Sequence, residues 1–333
     1  MKNTTLVFLA LFSFLAVVYF SGCENTVTEV TGDDDEYLKN TAITVLYDNS
    51  DDPDNIFAND ITAFDNGGAV PDFDGAGALT PGGYSSPIDS IVRHGRKLNI
   101  NTLVTVATIT NQGDSLKNIN IKKTISGVYI IIGYVNGVLD SIIKPITLEK
   151  ERFAVFKRVA HTPYPRRNWR LFRISAVDGQ STAPQVGKDN IVLNKFEIYR
   201  NGVLIETLLG PDFTQNIFSS RLFSGAGIMN FRHGDDVKIK VFLNSNQPEA
   251  DLVAFHWGRR YPGFHRERLP MISETPNGST WDRIFERTFH VGPAHRFGVF
   301  NGYISGTTFK SLFDTNTNIF STTAAGAPYR MLP

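Results

Sequence analysis

Residues 118–139 read Asn-Ile-Asn-Ile-Lys-Lys-Thr-Ile-Ser-Gly-Val-Tyr-Ile-Ile-Ile-Gly-Tyr-Val-Asn-Gly-Val-Leu, and this stretch decides the fold class. In its first half, Ile119, Ile121 and Ile125 alternate with polar residues. A period of two is typical of a strand that buries one face. Residues 128–135 then form a nearly continuous apolar run, which is typical of a core strand. The stretch therefore predicts β-structure.

Two Asn-Gly pairs, Asn136-Gly137 and Asn201-Gly202, occur in similar contexts, because each follows a Tyr-Xaa pair and precedes Val-Leu. Asn-Gly supplies the two positive-φ residues of a type I′ turn, so each pair predicts a tight hairpin. The flanking sequences differ, which favours two independent hairpins over a duplicated domain. A third turn is predicted at residues 111–114.

The alternation continues in the second half of the chain. Residues 237–243 place Val, Ile, Val and Leu between lysines and Phe, and residues 195–199 alternate in the same way. No segment beyond residue 90 keeps helical spacing for three turns. Residues 280–290 come closest, and their pattern leaves helix and strand open. The sequence thus predicts a mainly β protein.

Two domains are expected from the chain length and from a polar, turn-rich stretch at residues 178–190, which we interpret as a linker. The first β-rich domain would span residues 37–177. It contains long loops at residues 48–87, within which residues 57–64 favour a short helix. The second domain would span residues 191–333.

The second domain, with its short strands and frequent turns, resembles an immunoglobulin-like β-sandwich. It lacks the cysteine pair of immunoglobulin domains, so the resemblance implies only the layer architecture. The first domain has long strands that end in Arg167-Asn168-Trp169-Arg170-Leu171, after a segment able to hold a helix. In this it resembles the α+β cone of nuclear-transport-factor-2-like domains. The sequence favours a β-sandwich or meander for this domain, and the cone is the alternative.

The N-terminus carries an export signal. Lys2 precedes an apolar run from Leu6 to Phe20, which is 15 residues long and shorter than the roughly 20 residues of a membrane-spanning helix. Phe20-Ser21-Gly22-Cys23 follows and contains the only cysteine of the chain. Residues 1–22 and Cys23 therefore resemble the signal of a bacterial lipoprotein, although Phe20 stands where Leu is usual. The resemblance implies that Cys23 becomes the lipidated N-terminus.

The same resemblance implies an address. A lipidated Cys23 would anchor the protein to the membrane of the bacterial cell envelope. Glu24, rather than Asp, follows the cysteine. In enterobacterial lipoproteins this favours delivery to the outer membrane, where the protein would face the periplasm or the exterior. Residues 23–36 are polar and acidic, which predicts a flexible tether.

Charge is unevenly distributed. Residues 24–74 contain 14 acidic residues and one basic residue, whereas the rest of the mature chain contains 31 basic and 19 acidic residues. The acidic segment is expected to lie against the basic body. Alternatively, the basic surface binds anionic glycans or lipid head groups. Nucleic acid is not an expected partner, because the protein is exported.

No pattern predicts a cofactor, a metal centre or a catalytic site. The acidic stretch at residues 48–54 does not match the EF-hand template, and a solvated loop explains it. The late histidines (His256, His265, His290 and His295) lack the spacing of a zinc site. The sequence has no Gly-Xaa-Ser-Xaa-Gly elbow and no phosphate-binding glycine loop.

An aromatic and arginine-rich segment around Pro262-Gly263 is the candidate ligand-binding site. Aromatic faces stack on sugars, and guanidinium groups bind carboxylates and phosphates. The alternative is a hairpin whose aromatic residues pack inward. The candidate residues are Trp257, Arg259, Arg260, Tyr261, Phe264, Arg266 and Arg268. A second basic run extends from Arg152 to Arg173.

These observations predict an envelope lipoprotein that has a structural role or binds a glycan or another envelope protein, without catalysis. The alternative is an envelope hydrolase that acts on glycan through a pocket in the first domain.

Overall fold

The structure is a computed structural model that describes residues 33–47, 79–219, 227–257, 265–293, 295 and 297–333. Several features predicted from the sequence lie outside the described residues. These are the lipoprotein signal with Cys23, the acidic stretch at residues 48–54, the helix at residues 57–64 and most of the predicted loops at residues 48–87.

Strands dominate the described part of the chain, which confirms the predicted fold class. The helices are α1 (Asp34–Tyr47), α2 (Pro165–Asn168) and α3 (Phe309–Phe313). The strands are β1 (Ile88–Leu98), β2 (Val104–Gln112), β3 (Leu116–Val135), β4 (Val138–Arg158), β5 (Trp169–Ser175), β6 (Val177–Ala183), β7 (Ile191–Arg200), β8 (Val203–Leu209), β9 (Ile217–Ser219), β10 (Met229–Phe231), β11 (Asp236–Ser245), β12 (Leu252–Trp257), β13 (His265–Leu269), β14 (Met271–Asn277), β15 (Thr280–His290), β16 (Gly298–Thr307) and β17 (Thr322–Met331).

The strands form two sheets. The larger has the order β1-β3-β4-β6-β17-β16-β12-β13, and β2, β5, β9 and β10 attach to it. The smaller has the order β14-β15-β11-β7-β8. The larger sheet curls, since Arg266 Nη2 on β13 donates a hydrogen bond to the His94 carbonyl on β1, at the other end of the strand order, over 3.0 Å. The curl gives this sheet an inner face.

The predicted hairpins are confirmed. Asn136 and Gly137 have φ values of 52° and 76°, and Asn201 and Gly202 have φ values of 50° and 81°. These positive angles produce the tight turns that join β3 to β4 and β7 to β8. The third predicted turn also forms, between β2 and β3, where Gly113 has a φ of 70°.

The predicted alternation also matches burial. Ile119, Ile121 and Ile125 on β3 are buried, and so are Val237, Ile239, Val241 and Leu243 on β11. Residues 280–290, which the pattern left open, form strand β15. Tertiary pairing decides this case, because β15 lies between β14 and β11.

Two apolar cores hold the sheets in place. One joins the sheets, with Phe196 and Phe285 from the smaller sheet packed with Ile304 and Ala325 from the larger. The other core lies inside the curl. It contains buried apolar residues of β1, β3 and β4, Ile131 among them. The smaller sheet is therefore layered on the outer side of the curled one.

The domain linker expected at residues 178–190 contains most of a strand of the larger sheet. Residues 177–183 form β6, which pairs with β4 on one side and with the C-terminal β17 on the other. Small and polar residues fill β6, so its sequence shows no apolar alternation. Residues 191–333 supply every strand of the smaller sheet and also several strands of the curled sheet.

Helix α1 begins inside the stretch predicted as a tether. Asp34, Asp35 and Glu36 form its first turn, where negative charge is favourable. Asp34 Oδ2 accepts a hydrogen bond from Arg158 at 2.6 Å, and Asp35 pairs with Lys117. This part of the acidic segment does lie against the basic body.

Candidate functional site

Buried basic side chains converge on the inner face of the curled sheet. Every second residue of β4 from Ile142 to Phe156 is buried, and Lys144, Lys150 and Arg152 occupy three of these positions. The same alternation on β3 buries Lys123 between isoleucines. Strand geometry thus directs these cations inward, away from water.

Lys123 on β3 lies directly opposite Lys150 on β4. Side chains opposite each other across an antiparallel pair are about 5 Å apart at Cβ, and like charges in that position are destabilising. Arg152 is two residues along the same face, where its Nε donates to the Ser175 carbonyl over 3.2 Å. Three cations therefore meet between the two apolar cores.

The basic surface continues around the curl. The Lys150 ammonium lies 5.7 Å from the ring centre of Tyr303. His256 is the cross-strand neighbour of Tyr303 on one side and of Arg266 on the other. The His256 Nε2 lies 2.7 Å from Ser305 Oγ. Arg266 in turn donates its hydrogen bond to the His94 carbonyl on β1.

Strand β1 completes the set. His94 Nδ1 lies 2.6 Å from the Tyr129 hydroxyl, and Arg96 is the cross-strand neighbour of Tyr129. We call the following group of buried residues the basic inner face: His94, Arg96, Lys123, Lys150, Arg152, His256 and Arg266.

The density of positive charge distinguishes the basic inner face. Its side chains all take part in hydrogen bonds or electrostatic interactions. Among the described residues the buried carboxylate is that of Asp251, and it is paired with Arg283 at the edge of the smaller sheet. Burying several cations together is unfavourable unless negative charge accompanies them. Negative charge therefore complements this arrangement, whether it comes from the chain itself or from a bound anion.

Lys144 lies beside this group but has its own partners. Its Nζ donates to the carbonyl of Ile319 over 2.9 Å. Burial lowers the pKa of Lys144 to about 8, and Asp314 acts in the opposite direction. Lys144 therefore remains mostly cationic at neutral pH and adds to the positive potential inside the curl.

The structure separates the residues of the predicted aromatic and arginine-rich site. Arg266 belongs to the basic inner face, and Arg268 projects from the same side of β13. Trp257 points to the other side of the sheet, where it lies 5.4 Å from Phe255 and 5.7 Å from Phe289, measured between ring centres. The remaining candidates, Arg259, Arg260, Tyr261 and Phe264, lie outside the described residues.

Three of the late histidines, His256, His290 and His295, have side chains within the described part of the structure and do not converge. His290 Nδ1 lies 3.0 Å from Asp236 Oδ1, His295 contacts Tyr329, and His256 belongs to the basic inner face. Within the described ranges, no three His, Cys, Asp or Glu residues are grouped so as to hold a metal ion.

A second polar feature is a groove of about 570 Å³ beside the start of α1. It is lined by the aspartates of that helix, by Lys117 and Arg158, and by His161 and Asn168. The Asp34–Arg158 and Asp35–Lys117 pairs cross it. Because these opposite charges neutralise each other, the groove is a less suitable anion site than the basic inner face.

The residue patterns alone do not predict the basic inner face, although one signal for it is present. Lys123 continues the phase of Ile119, Ile121 and Ile125, so a lysine occupies a position at which the pattern predicts burial. The convergence with His94, His256 and Arg266 depends on strand order, which the sequence does not reveal.

Comparisons with protein-family models, with curated proteins and with solved structures find no match for this chain. None of the described helices has the length and hydrophobicity that crossing a membrane requires. A proposal for function therefore depends on the residues themselves.

Proposed function

We propose that this protein is a lipid-anchored lipoprotein of the bacterial outer membrane that binds an anionic glycan through the basic inner face, in a binding role rather than as a catalyst. The observation that carries the proposal is the pairing of Lys123 with Lys150 beside Arg152 in the protein interior. Ammonium and guanidinium groups gathered in this way create a positive potential that attracts an anion, which supports a role in binding.

The chemistry of the face supports a carboxylated or phosphorylated sugar. Guanidinium groups bind such anions through two parallel hydrogen bonds, and lysines contribute point charges. Ser305 and the two tyrosines, Tyr129 and Tyr303, add hydroxyl groups of the kind that bind sugars.

The hydrolase alternative requires two carboxyl groups that flank a glycosidic bond. The described residues of the inner face contribute cations and hydroxyl groups, while the Asp251 carboxylate is held by Arg283 at 2.6 Å. This composition supports binding over hydrolysis.

Calorimetric titration with oligogalacturonate, a glycan with one carboxylate per sugar, tests the binding proposal. Neutral galacto-oligosaccharide of the same length is the matched ligand. We expect Lys123→Met and Lys150→Met each to weaken oligogalacturonate binding at least tenfold, about 1.4 kcal/mol, because each removes a buried positive charge. The neutral glycan should bind to none of the proteins.

Lys240→Met on the outer surface of the smaller sheet is the matched control and should leave binding unchanged. Thermal unfolding distinguishes a binding role of Lys150 from a purely structural one. Replacing a buried cation by an apolar side chain of similar length is often neutral or stabilising. A Lys150→Met variant that unfolds at a lower temperature yet binds normally would show that the lysine is purely structural.

The chain contains a competing anion of its own, since residues 48–78 carry eight carboxylates and no basic residue. A variant with Asp51, Asp52 and Asp54 replaced by Asn distinguishes this source of negative charge from a glycan. Tighter oligogalacturonate binding by the variant would indicate competition for the same face. If neither this variant nor the wild type binds the glycan, the proposal fails.

Lipid attachment is tested separately. Expressed in a bacterial host with labelled palmitate, the wild-type chain should incorporate label and fractionate with the outer membrane, whereas Cys23→Ser should do neither. Label in the serine variant, or recovery of the wild type with residues 1–22 intact, would contradict the lipoprotein assignment.

A further inference from the structure

A second basic surface lies on the outside of the curled sheet, next to the start of helix α1. It is formed by strands β4 and β5 and by the short helix α2. We call it the exposed basic patch, and it consists of Lys157, Arg166, Arg167, Arg170 and Arg173, all of which are exposed.

The patch concentrates like charges. Lys157 is the direct cross-strand neighbour of Arg170, and Arg173 follows on the same strand. The half-buried Phe172 ring lies 5.6 Å from the Lys157 ammonium and 4.8 Å from the Arg173 guanidinium. Like charges that face each other across strands repel, so a stable patch of this kind suits an anionic partner.

Two aspartates beside the patch are paired with other cations. In the first turn of α1, Asp34 is paired with Arg158 and Asp35 with Lys117, and neither cation belongs to the patch. Lys157, Arg170 and Arg173 form no ion pair with any residue in the described ranges. Arg170 instead donates from Nη1 to the Arg166 carbonyl over 2.6 Å, which ties β5 to α2.

Chain length limits how far this surface can lie from the proposed lipid anchor. Asp34 is fixed next to the patch, because its partner Arg158 is the chain neighbour of Lys157 and Asn168 Nδ2 contacts it at 3.5 Å. Cys23 precedes Asp34 by eleven residues. Whatever their conformation, eleven residues span at most about 40 Å. A lipid anchor at Cys23 therefore holds the start of α1 within about 40 Å of the bilayer, which leaves the patch able to reach the head groups.

We infer that the exposed basic patch contacts anionic phospholipid head groups and so orients the protein on the membrane that holds its lipid anchor. This inference rests on the lipid anchor of the proposed function. Each basic residue close to an anionic bilayer strengthens the contact about fivefold, and arginine binds phosphate through two hydrogen bonds. Three such residues contribute about a hundredfold together.

The test uses the lipid-modified chain reconstituted into vesicles. The thiol of Cys23 is blocked by lipid, so a second cysteine can be labelled selectively. A fluorophore at Val159→Cys, an exposed position next to Arg158, reports proximity to quenchers attached to the lipid head groups. We expect strong quenching in vesicles that contain phosphatidylglycerol and weak quenching in pure phosphatidylcholine. High salt should abolish the difference, because it shortens the screening length.

The triple variant K157Q/R170Q/R173Q should reduce quenching in phosphatidylglycerol vesicles to the phosphatidylcholine level. The matched control, K195Q/K238Q/K240Q on the smaller sheet, removes the same charge and should quench like the wild type. A label at Val203→Cys, an exposed position on that sheet, should be quenched weakly throughout.

Equal quenching in both vesicle types would overturn the inference. Equal losses of quenching in the two triple variants would also overturn it, because the contact would then depend on net charge rather than on the patch. Thermal unfolding of each variant verifies that the fold is retained. Failure of the lipid anchor gives a different result, since the chain would then not remain with the vesicles at all.

Discussion

Replacing Arg283 with alanine is expected to lower the free energy of unfolding by about 3–5 kcal/mol. The guanidinium is fully buried and donates to four acceptors. It contacts Asp251 Oδ2 and Glu274 Oε2, both at 2.6 Å, and the carbonyls of Gln247 and Pro248 at 2.9 and 2.8 Å. Alanine would remove all four hydrogen bonds and leave the buried Asp251 carboxylate without its cationic partner, which costs far more than the loss of an exposed pair.

The position of Arg283 explains why the effect should extend through the fold. Its strand, β15, belongs to the smaller sheet, whereas Asp251 immediately precedes β12 of the curled sheet. The residues between β11 and β12 contribute the two carbonyl acceptors. One side chain therefore fixes the chain segment that passes from one sheet to the other.

The loss should depend on pH. Burial raises the pKa of Asp251 to about 6, with the Arg283 guanidinium acting in the opposite direction. A carboxyl group with a raised folded-state pKa favours folding at low pH, and that contribution is lost as pH rises through about 6. Arg283→Ala should therefore cost most at pH 7 and above and less near pH 4–5, where Asp251 is protonated.

Chemical denaturation at the two pH values measures this prediction. Arg287→Ala is the matched control, because Arg287 is on the same strand and forms a partly exposed pair with Glu267. It should cost no more than about 1 kcal/mol. Equal losses in the two variants would show that the buried network does not hold the sheets together.

Deleting residues 322–333 is expected to abolish cooperative folding. These residues include β17, nine of whose ten residues are buried. The strand pairs with β6 and β16 and also with β10. Removing one large core side chain costs about 2–5 kcal/mol, and a whole domain is stable by only about 5–15 kcal/mol.

Circular dichroism during heating measures the effect of the deletion. The wild type should show one sharp transition and the shortened chain none. Removal of Leu332 and Pro333 alone is the control, since these residues follow β17, and it should leave a clear transition. A cooperative transition in the chain that ends at Ser321 would mean that β6 and β16 do not require the strand between them.

Local chemistry explains which elements could be predicted. The Asn-Gly turns were identified because their backbone angles depend on two adjacent residues. The strands β3, β7 and β11 were identified because alternation with a period of two is a local consequence of burying one face. The residue pattern leaves helix and strand open for β15 and predicts a linker where β6 lies. Both segments are strands because they pair with neighbouring strands, not because of their own residue patterns.

The candidate site depended on the same distinction. The aromatic and arginine-rich segment was singled out because its residues are adjacent in sequence. In the structure, neighbouring residues of a strand point to opposite faces, so Trp257 packs between the sheets while His256 and Arg266 reach the inner face. Adjacency in sequence was therefore a poor guide to convergence.

By itself, the sequence determined the mainly β class, the hairpin turns and the buried phase of the best strands. Only the tertiary structure decided the strand order, with the C-terminal β17 between β6 and β16, and the gathering of basic side chains from β1, β3, β4, β12 and β13 on one face. The physical reason is the range of the interactions. Turns and alternation arise within a few residues, whereas sheet order and charge convergence arise from pairing between segments up to some 170 residues apart.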